Sequence, residues 1–328
     1  MTDITRRRMA KSLAGSLAVA ALASRAGAQA AYPSRPIRFI IPFGAAGIAD
    51  ITARIAADKL TDRLGQRLVV ENQPGPGGIA AARIVLSQPA DGYTIGLVTN
   101  GTSISAAIYK SLPYDPVREF APISAIGYFD LVVGTNAESP FRSLQDFIGA
   151  AKARPGTLNV GTINVGGTQN LSAELLKSAT GLNFQIVPYR TTPDVIVALL
   201  RNDVQLMIDF YAAMKAGISD QKIRPLATSG PRRSPFLPDV PTVAEAGVAG
   251  YEVTSWNGIF ARAGTPSDIL DLLNAAIHEI IAIPEVKQRY AELGIEAAAS
   301  SPEQLRARLE GDIRKWAALI ERAGIARL

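Results

Sequence analysis

The residues best suited to chemistry in this sequence lie in two glycine-bearing turns, Phe43-Gly44-Ala45-Ala46-Gly47-Ile48-Ala49-Asp50 and Thr162-Ile163-Asn164-Val165-Gly166-Gly167-Thr168. Each falls between a β-type apolar run and a helical pattern. Unpaired N–H groups and the positive end of the following helix dipole therefore converge on one point. Such a point holds an anion without a cationic side chain, and neither turn contains Lys or Arg. If the two turns face one another, a carboxylate is gripped from both sides, with Thr168 and Asn170 adding polar side chains. The competing reading is that Gly47, Gly166 and Gly167 only permit tight turns. Two such turns in matching places favour the anion.

Other chemistries lack their residues. Neither turn carries a dinucleotide fingerprint, and no Gly-Lys-Ser/Thr occurs. The single histidine, His278, sits in the helical stretch 274–281 beside Glu279, and no Gly-x-Ser-x-Gly elbow accompanies it. No catalytic residue is assigned, and the chain is not expected to be an enzyme. Cysteine is absent, and no His or carboxylate cluster has metal-ligand spacing, so no metal and no cofactor are expected. Trp316 falls among Leu319 and Ile320 as a core residue. Trp256, in the polar segment Thr254-Ser255-Trp256-Asn257-Gly258, either wedges an interface or walls a ligand cleft, and it joins the candidate ligand-binding residues.

The elements that position the turns repeat as strand, loop, helix. Ile37–Ile41 reads as a strand, and a helix from Asp50 places Ile51, Ile55, Leu60 and Leu64 on one face before Gly65. A strand at Leu68–Val70, a helix at Ile79–Leu86 and a strand at Tyr93–Val98 complete a first series. A second begins near Asp130 with strands at 131–133, 158–160, 184–187, 204–208 and 223–227. Its helices fall at 143–153, 169–180 and 194–200. Tyr251–Phe260 is a long extended segment that returns to the first series, and helices at 266–282 and 301–323 close the chain.

The first thirty residues read as an export signal rather than fold. Thr5-Arg6-Arg7-Arg8 opens a charged region, an alanine-rich apolar stretch follows, and Ala28-Gln29-Ala30 is a small-x-small cleavage site. The arginine pair and mild hydrophobicity resemble a twin-arginine signal, with the general secretory route as the alternative, and cleavage after Ala30 is expected to place the mature chain in the periplasm. Without this segment the formal charge of +5 falls to +1, so no nucleic-acid partner is expected.

From Tyr32 onward the chain resembles the substrate-binding proteins of tripartite tricarboxylate transporters, the Bug receptors. The resemblance rests on Tyr32-Pro33-Ser34-Arg35-Pro36-Ile37, Val70-Glu71-Asn72-Gln73-Pro74-Gly75-Pro76-Gly77-Gly78, Asp91-Gly92-Tyr93-Thr94, Leu112-Pro113-Tyr114-Asp115-Pro116, Val187-Pro188-Tyr189-Arg190, Leu237-Pro238-Asp239-Val240-Pro241 and Thr254-Ser255-Trp256. It implies an α/β, two-lobed periplasmic-binding-protein fold, each lobe a mostly parallel sheet flanked by helices and joined by crossing strands. Residues 31–124 and 252–328 form lobe 1 and 125–251 lobe 2. It further implies a monomeric receptor that takes a di-, tri- or aromatic carboxylate between the lobes and delivers it to membrane transporter subunits. The alternative role is a sensor that reports its ligand to a two-component kinase. Carried over by motif, Pro42, Phe43, Gly47 and Asp50 form the first-lobe grip and Thr99, Asn100, Gly101 and Thr102 line the cleft. Thr162, Gly166, Gly167, Thr168, Asn170 and Asp209 complete it. The chain departs from the family at Ala45-Ala46-Gly47-Ile48, where a denser glycine run is usual, and at Thr191-Thr192, where Gly-Ser is common.

Overall fold

Strand β1 (Ile37–Ile41) buries every residue except Arg38, whose guanidinium reaches across to β2 (Leu68–Asn72) and holds Glu71 at 2.7 and 2.8 Å. Between them helix α1 (Ile48–Leu64) turns Ile55 and Leu60 inward and stops at Gly65, whose φ of 67° is the left-handed geometry that ends many helices. Helix α2 (Ile79–Leu86), β3 (Thr94–Thr99), α3 (Asn100–Ile108) and the short α4 (Pro116–Glu119) lead into β4, a 17-residue strand over Phe120–Asn136. Next come α5 (Leu144–Ala153), β5 (Asn159–Ile163), α6 (Thr168–Thr180), β6 (Gln185–Tyr189) and α7 (Thr192–Leu200). After β7 (Leu206–Phe210), α8 (Tyr211–Ser219) and β8 (Ile223–Thr228), the chain ends in β9 (Thr254–Arg262), α9 (Ser267–Ala282), α10 (Pro284–Glu292) and α11 (Pro302–Arg322). Capping boxes start α5 at Ser143 with Asp146 and α11 at Ser301 with Gln304.

This computed structural model describes residues 32–45, 47–163 and 165–328, and residues 35–328 form one unit. The expected export signal, with Ala46 and Asn164 of the two turns, lies outside the described residues. Among those described, no helix is long and apolar enough to cross a membrane.

The architecture is α/β, a curled sheet flanked by helices. Its strands run β2-β1-β3-β9-β4-β7-β5-β6, with β8 also pairing β4. The first four and the last four reversed, β2-β1-β3-β9 and β6-β5-β7-β4, have the same order. The turn after β1 and the turn after β5 thus occupy equivalent places. Pairing is parallel in the outer strands of each series. It is antiparallel wherever β4 or β9 takes part, which makes the whole sheet mixed. Strand β4 pairs β9 through Asp130 and then, from Leu131, pairs β7 and β8.

Only residues 131–133 of β4 are expected from the sequence, because Pro122 and Gly127 punctuate the part before them. The ladder accommodates both through register shifts between Pro122 and Ser124 and between Ala125 and Gly127. Four helices, α3, α4, α8 and α10, are likewise absent from the expected series. Helix α11 ties the molecule together: Leu305 and Leu309 pack in the cluster around Ile40, Val98 and Phe260, while Trp316, Leu319 and Ile320 pack with Phe147, Leu171 and Leu206.

Candidate ligand site

The two turns end in nearly superimposable backbone. Gly47 caps α1 at φ −79°, ψ 165°, Gly167 caps α6 at φ −79°, ψ 168°, and neither helix has a side-chain cap. The first intrahelical bonds run from Ile51 N to Gly47 O and from Leu171 N to Gly167 O, both 2.9 Å. The N–H groups of each first turn therefore have no helical acceptor. A negative φ is open to any residue, and a Cβ on Gly47 would meet nothing within 4 Å. Neither backbone conformation nor crowding therefore requires glycine at position 47. Gly166 is different, since its φ of 74° and a Cβ only 3.0 Å from Ile108 Cδ1 require glycine for the backbone itself.

Side chains behind each turn hold its shape. Asp50 is buried and takes Arg54 Nε at 3.0 Å and Asn72 Nδ2 at 2.7 Å, while Asn72 also donates to the carbonyl of Phe43 at 3.0 Å. This locks the end of β2 to the β1–α1 turn. Pro42 is buried beneath the turn and Phe43 is exposed on it. In the second turn Asn170 Oδ1 accepts from Gly166 N at 3.0 Å and its Nδ2 donates to Thr162 Oγ1 at 3.4 Å.

Asp209, 2% exposed, organises three elements at once. It accepts from Gln169 Nε2 of α6 at 2.9 Å, Thr192 Oγ1 of α7 at 2.6 Å and its neighbour Phe210 N at 2.8 Å. Burial raises its pKa, and these three donors only partly offset that. Thr191 caps α7 through Asp194 N. The Thr191-Thr192 departure therefore has a structural role, cap and donor side by side. The sequence signal for it was the Thr-Pro-Asp cap ahead of Val195.

Helix α3 stands between the two turns. Pro42 and Thr102 border one small internal gap, and Asn100 Nδ2 donates to Thr168 Oγ1 at 3.1 Å. Asn100 is fully buried and its Oδ1 accepts from Trp316 Nε1 at 2.9 Å, so its side chain braces the site rather than facing it. Thr99 and Thr102 form a capping box for α3, with Gly101 N donating to Thr99 Oγ1 at 3.1 Å. Together with Ile104, Ala107 and Ile108, that Thr-x-x-Thr spacing is the sequence signal for a helix absent from the expected series.

Trp256 does not join this assembly. It is fully buried in β9, packed with Ile40, Phe120 and Leu305, and its Nε1 donates to Asp312 Oδ2 at 2.7 Å. The expectation that it lines a cleft gives way to a core role, because strand alternation turns it under α11 while Asn257 takes the opposite face against Thr52. Trp256→Phe should lower unfolding stability by about 1–3 kcal/mol while leaving ligand affinity within twofold. Urea unfolding and calorimetric titration check this, and weakened binding at unchanged stability would return Trp256 to the site.

A cavity of about 260 Å³ lies elsewhere, along β4 from Tyr128 to Val132. None of the fifteen expected residues lines it. An anion held by open helix N-termini needs no enclosed volume before it binds, so the matched turns remain the better candidate for a carboxylate.

A curled α/β sheet with two like strand series has an uncapped glycine-started helix in the same place of each, and the solved structures of this form include periplasmic binding proteins. Residues 52–325 match the tripartite tricarboxylate transporter family receptor, and the chain belongs to that family. It is 34% identical over 321 residues to a protein of an intergenic region in Pseudomonas sp. (strain P51), covering 98% of this chain and 95% of that one. It is 32% identical to BugT of Bordetella pertussis, covering 89% and 90%. Among solved structures, R. palustris Rpa4515 with adipate matches at TM-score 0.78 and 34% identity over 90% of this chain and all of that one. MatC from Rhodopseudomonas palustris with bound malate matches at 0.73 and 28% over 88% and 100%. Receptors of this family are periplasmic and are not enzymes.

Proposed function

We propose that this protein captures a small carboxylate, of the di-, tri- or aromatic class, between two lobes that meet where β4 changes partners, and delivers it to the membrane subunits of a tripartite tricarboxylate transporter. The observation that carries the reading is the matched pair of uncapped N-termini at Gly47 and Gly167. Both lack a cation of their own, which suits a ligand that brings its own negative charge to helix dipoles and N–H groups. The adipate and malate of the two related structures are dicarboxylates of the size such a grip would take.

A ligand that touches both lobes binds the closed form preferentially and shifts the population towards it. A thermal-shift screen of mono-, di-, tri- and aromatic carboxylates should find one that, at about 100 times Kd, adds roughly 2.7 kcal/mol of apparent stability, a rise of several degrees in Tm. Small-angle scattering at saturation with that compound should show compaction. An unchanged profile despite confirmed binding would overturn the two-lobed clamp.

A further inference from the structure

The cavity along β4 presents chemistry of the opposite sign to the carboxylate site. Its lining includes the half-buried Asp130, whose Oδ1 accepts from Thr254 Oγ1 at 2.8 Å. The main chain at Gly230 lies so close that a Cβ there would fall 2.2 Å from Asp130 Oδ2. No cation pairs with this carboxylate among the described residues. The two arginines of the lining are engaged elsewhere. Arg232 donates twice to Glu296, at 2.5 and 2.7 Å, and Arg308 holds Asp312 at 2.9 Å, Glu252 at 3.4 Å and the carbonyl of Thr254 at 2.9 Å. Each arginine thus already has its counter-charge, and Asp130 is left with one hydroxyl donor.

A second observation points the same way. Thr228 is fully buried, lines the same cavity, and its Oγ1 is one of two buried side-chain polar atoms among the described residues that make no hydrogen bond. A buried hydroxyl without a partner is costly and is rarely kept unless something fills the gap. Apart from Ser234, Thr254 and the paired Arg232, Glu296 and Arg308, the walls are aromatic and apolar, including Tyr211 stacked on Phe236 at 5.7 Å. A lone carboxylate, an unpartnered hydroxyl and aromatic walls match a protonated primary amine on a short apolar stem, which brings N–H donors for both oxygens and a cation for the rings.

We propose that the cavity bounded by Asp130, Thr228 and Tyr211 is a second binding site, for a small primary alkylammonium ion, separate from the carboxylate site. It takes segments from both strand series, Tyr211 and Arg232 on one side and Glu296 and Arg308 on the other, so its occupant touches each.

The test uses the full mature protein in chloride buffer without carboxylates, so that its outcome is independent of the carboxylate reading. n-Butylammonium chloride is titrated by calorimetry and by amide chemical shifts, with 1-butanol as the neutral control. A saturable Kd on the order of 1 mM is expected for so few atoms. Asp130→Asn, which keeps shape and the Thr254 contact, should weaken it at least tenfold, and Thr228→Val should weaken it several-fold, with circular dichroism unchanged. Burial pushes the Asp130 carboxyl up to about 6. The amine stays protonated over pH 5–7.5, and the sole histidine, His278, does not line the cavity. Of the charged groups facing Asp130, namely Arg232, Arg308, Glu252 and Glu296, none changes its pairing in the proposal. Affinity should therefore fall about tenfold from pH 7.5 to pH 5 as Asp130 protonates, and Asp130→Asn should show no such slope. Equal binding by Asp130→Asn, equal binding of 1-butanol, or no saturation by 50-fold above the expected Kd would each overturn the site.

Discussion

Gly167→Asp is expected to weaken carboxylate capture severely while leaving the fold at least as stable. Gly167 already has the backbone of an N-cap, φ −79° and ψ 168°, and no side chain caps α6. Aspartate is among the preferred residues in that position and gains a few tenths of a kcal/mol over glycine by accepting from the first-turn N–H groups. Those are the groups the ligand would use. The new carboxylate both occupies them and repels an incoming anion, and two like charges about 4 Å apart repel by a few kcal/mol near a protein surface. A loss of at least about 2–3 kcal/mol in binding follows, some 30-fold or more in Kd. Gly47→Asp should act the same way from the other turn, where a Cβ meets open space. Arg63→Ala, which breaks only the exposed pair with Glu279, should leave binding unchanged. Calorimetric titration with the screened ligand, alongside thermal unfolding, separates the two effects. Wild-type affinity in Gly167→Asp with the fold intact would place the carboxylate elsewhere.

Asp209→Ala should be the most destabilising single change around the site. It removes the shared acceptor of Gln169, Thr192 and Phe210 N from a buried position. A buried donor left unpaired costs about 1–3 kcal/mol, and partial rescue by water brings the expected total to about 3 kcal/mol. Asp209→Asn keeps one carbonyl acceptor and should cost about 1 kcal/mol. The pH dependence has a definite sign. Because burial raises the pKa of Asp209 above its unfolded value, its contribution is largest at low pH and declines as pH rises through the folded value. The deficit of Asp209→Ala against wild type should accordingly be larger at pH 5 than at pH 8. Urea unfolding at both values tests this, and a deficit that grows with pH would show that the ionised form is the one the fold favours. Binding should weaken too, since α6 and α7 both lose the anchor of their first turns.

Much of this protein was legible in one dimension because local rules decide it. The strand at Ile37–Ile41, the stop at Gly65, helix Ile79–Leu86, the helix starts at Ser143 and Ser301 and the two glycine turns all follow from patterns within a few residues. Backbone hydrogen-bonding demand and side-chain periodicity act at that range, and the matching N-caps at Gly47 and Gly167 are their product. What only the tertiary structure decided is which polar groups spend their bonds on the fold. Asn100 and Trp316 lie 216 residues apart and Asp50 and Asn72 lie 22 apart, and their pairings depend on how strands are ordered rather than on any neighbour in sequence. Trp256 has the same polar sequence neighbours whether it faces a cleft or α11, and only the register of β9 against β4 chooses between them. The length of β4 and the cavity at Asp130 likewise arise where distant segments meet, because a carboxylate's partners are set by three-dimensional proximity and its sequence neighbours carry no record of them.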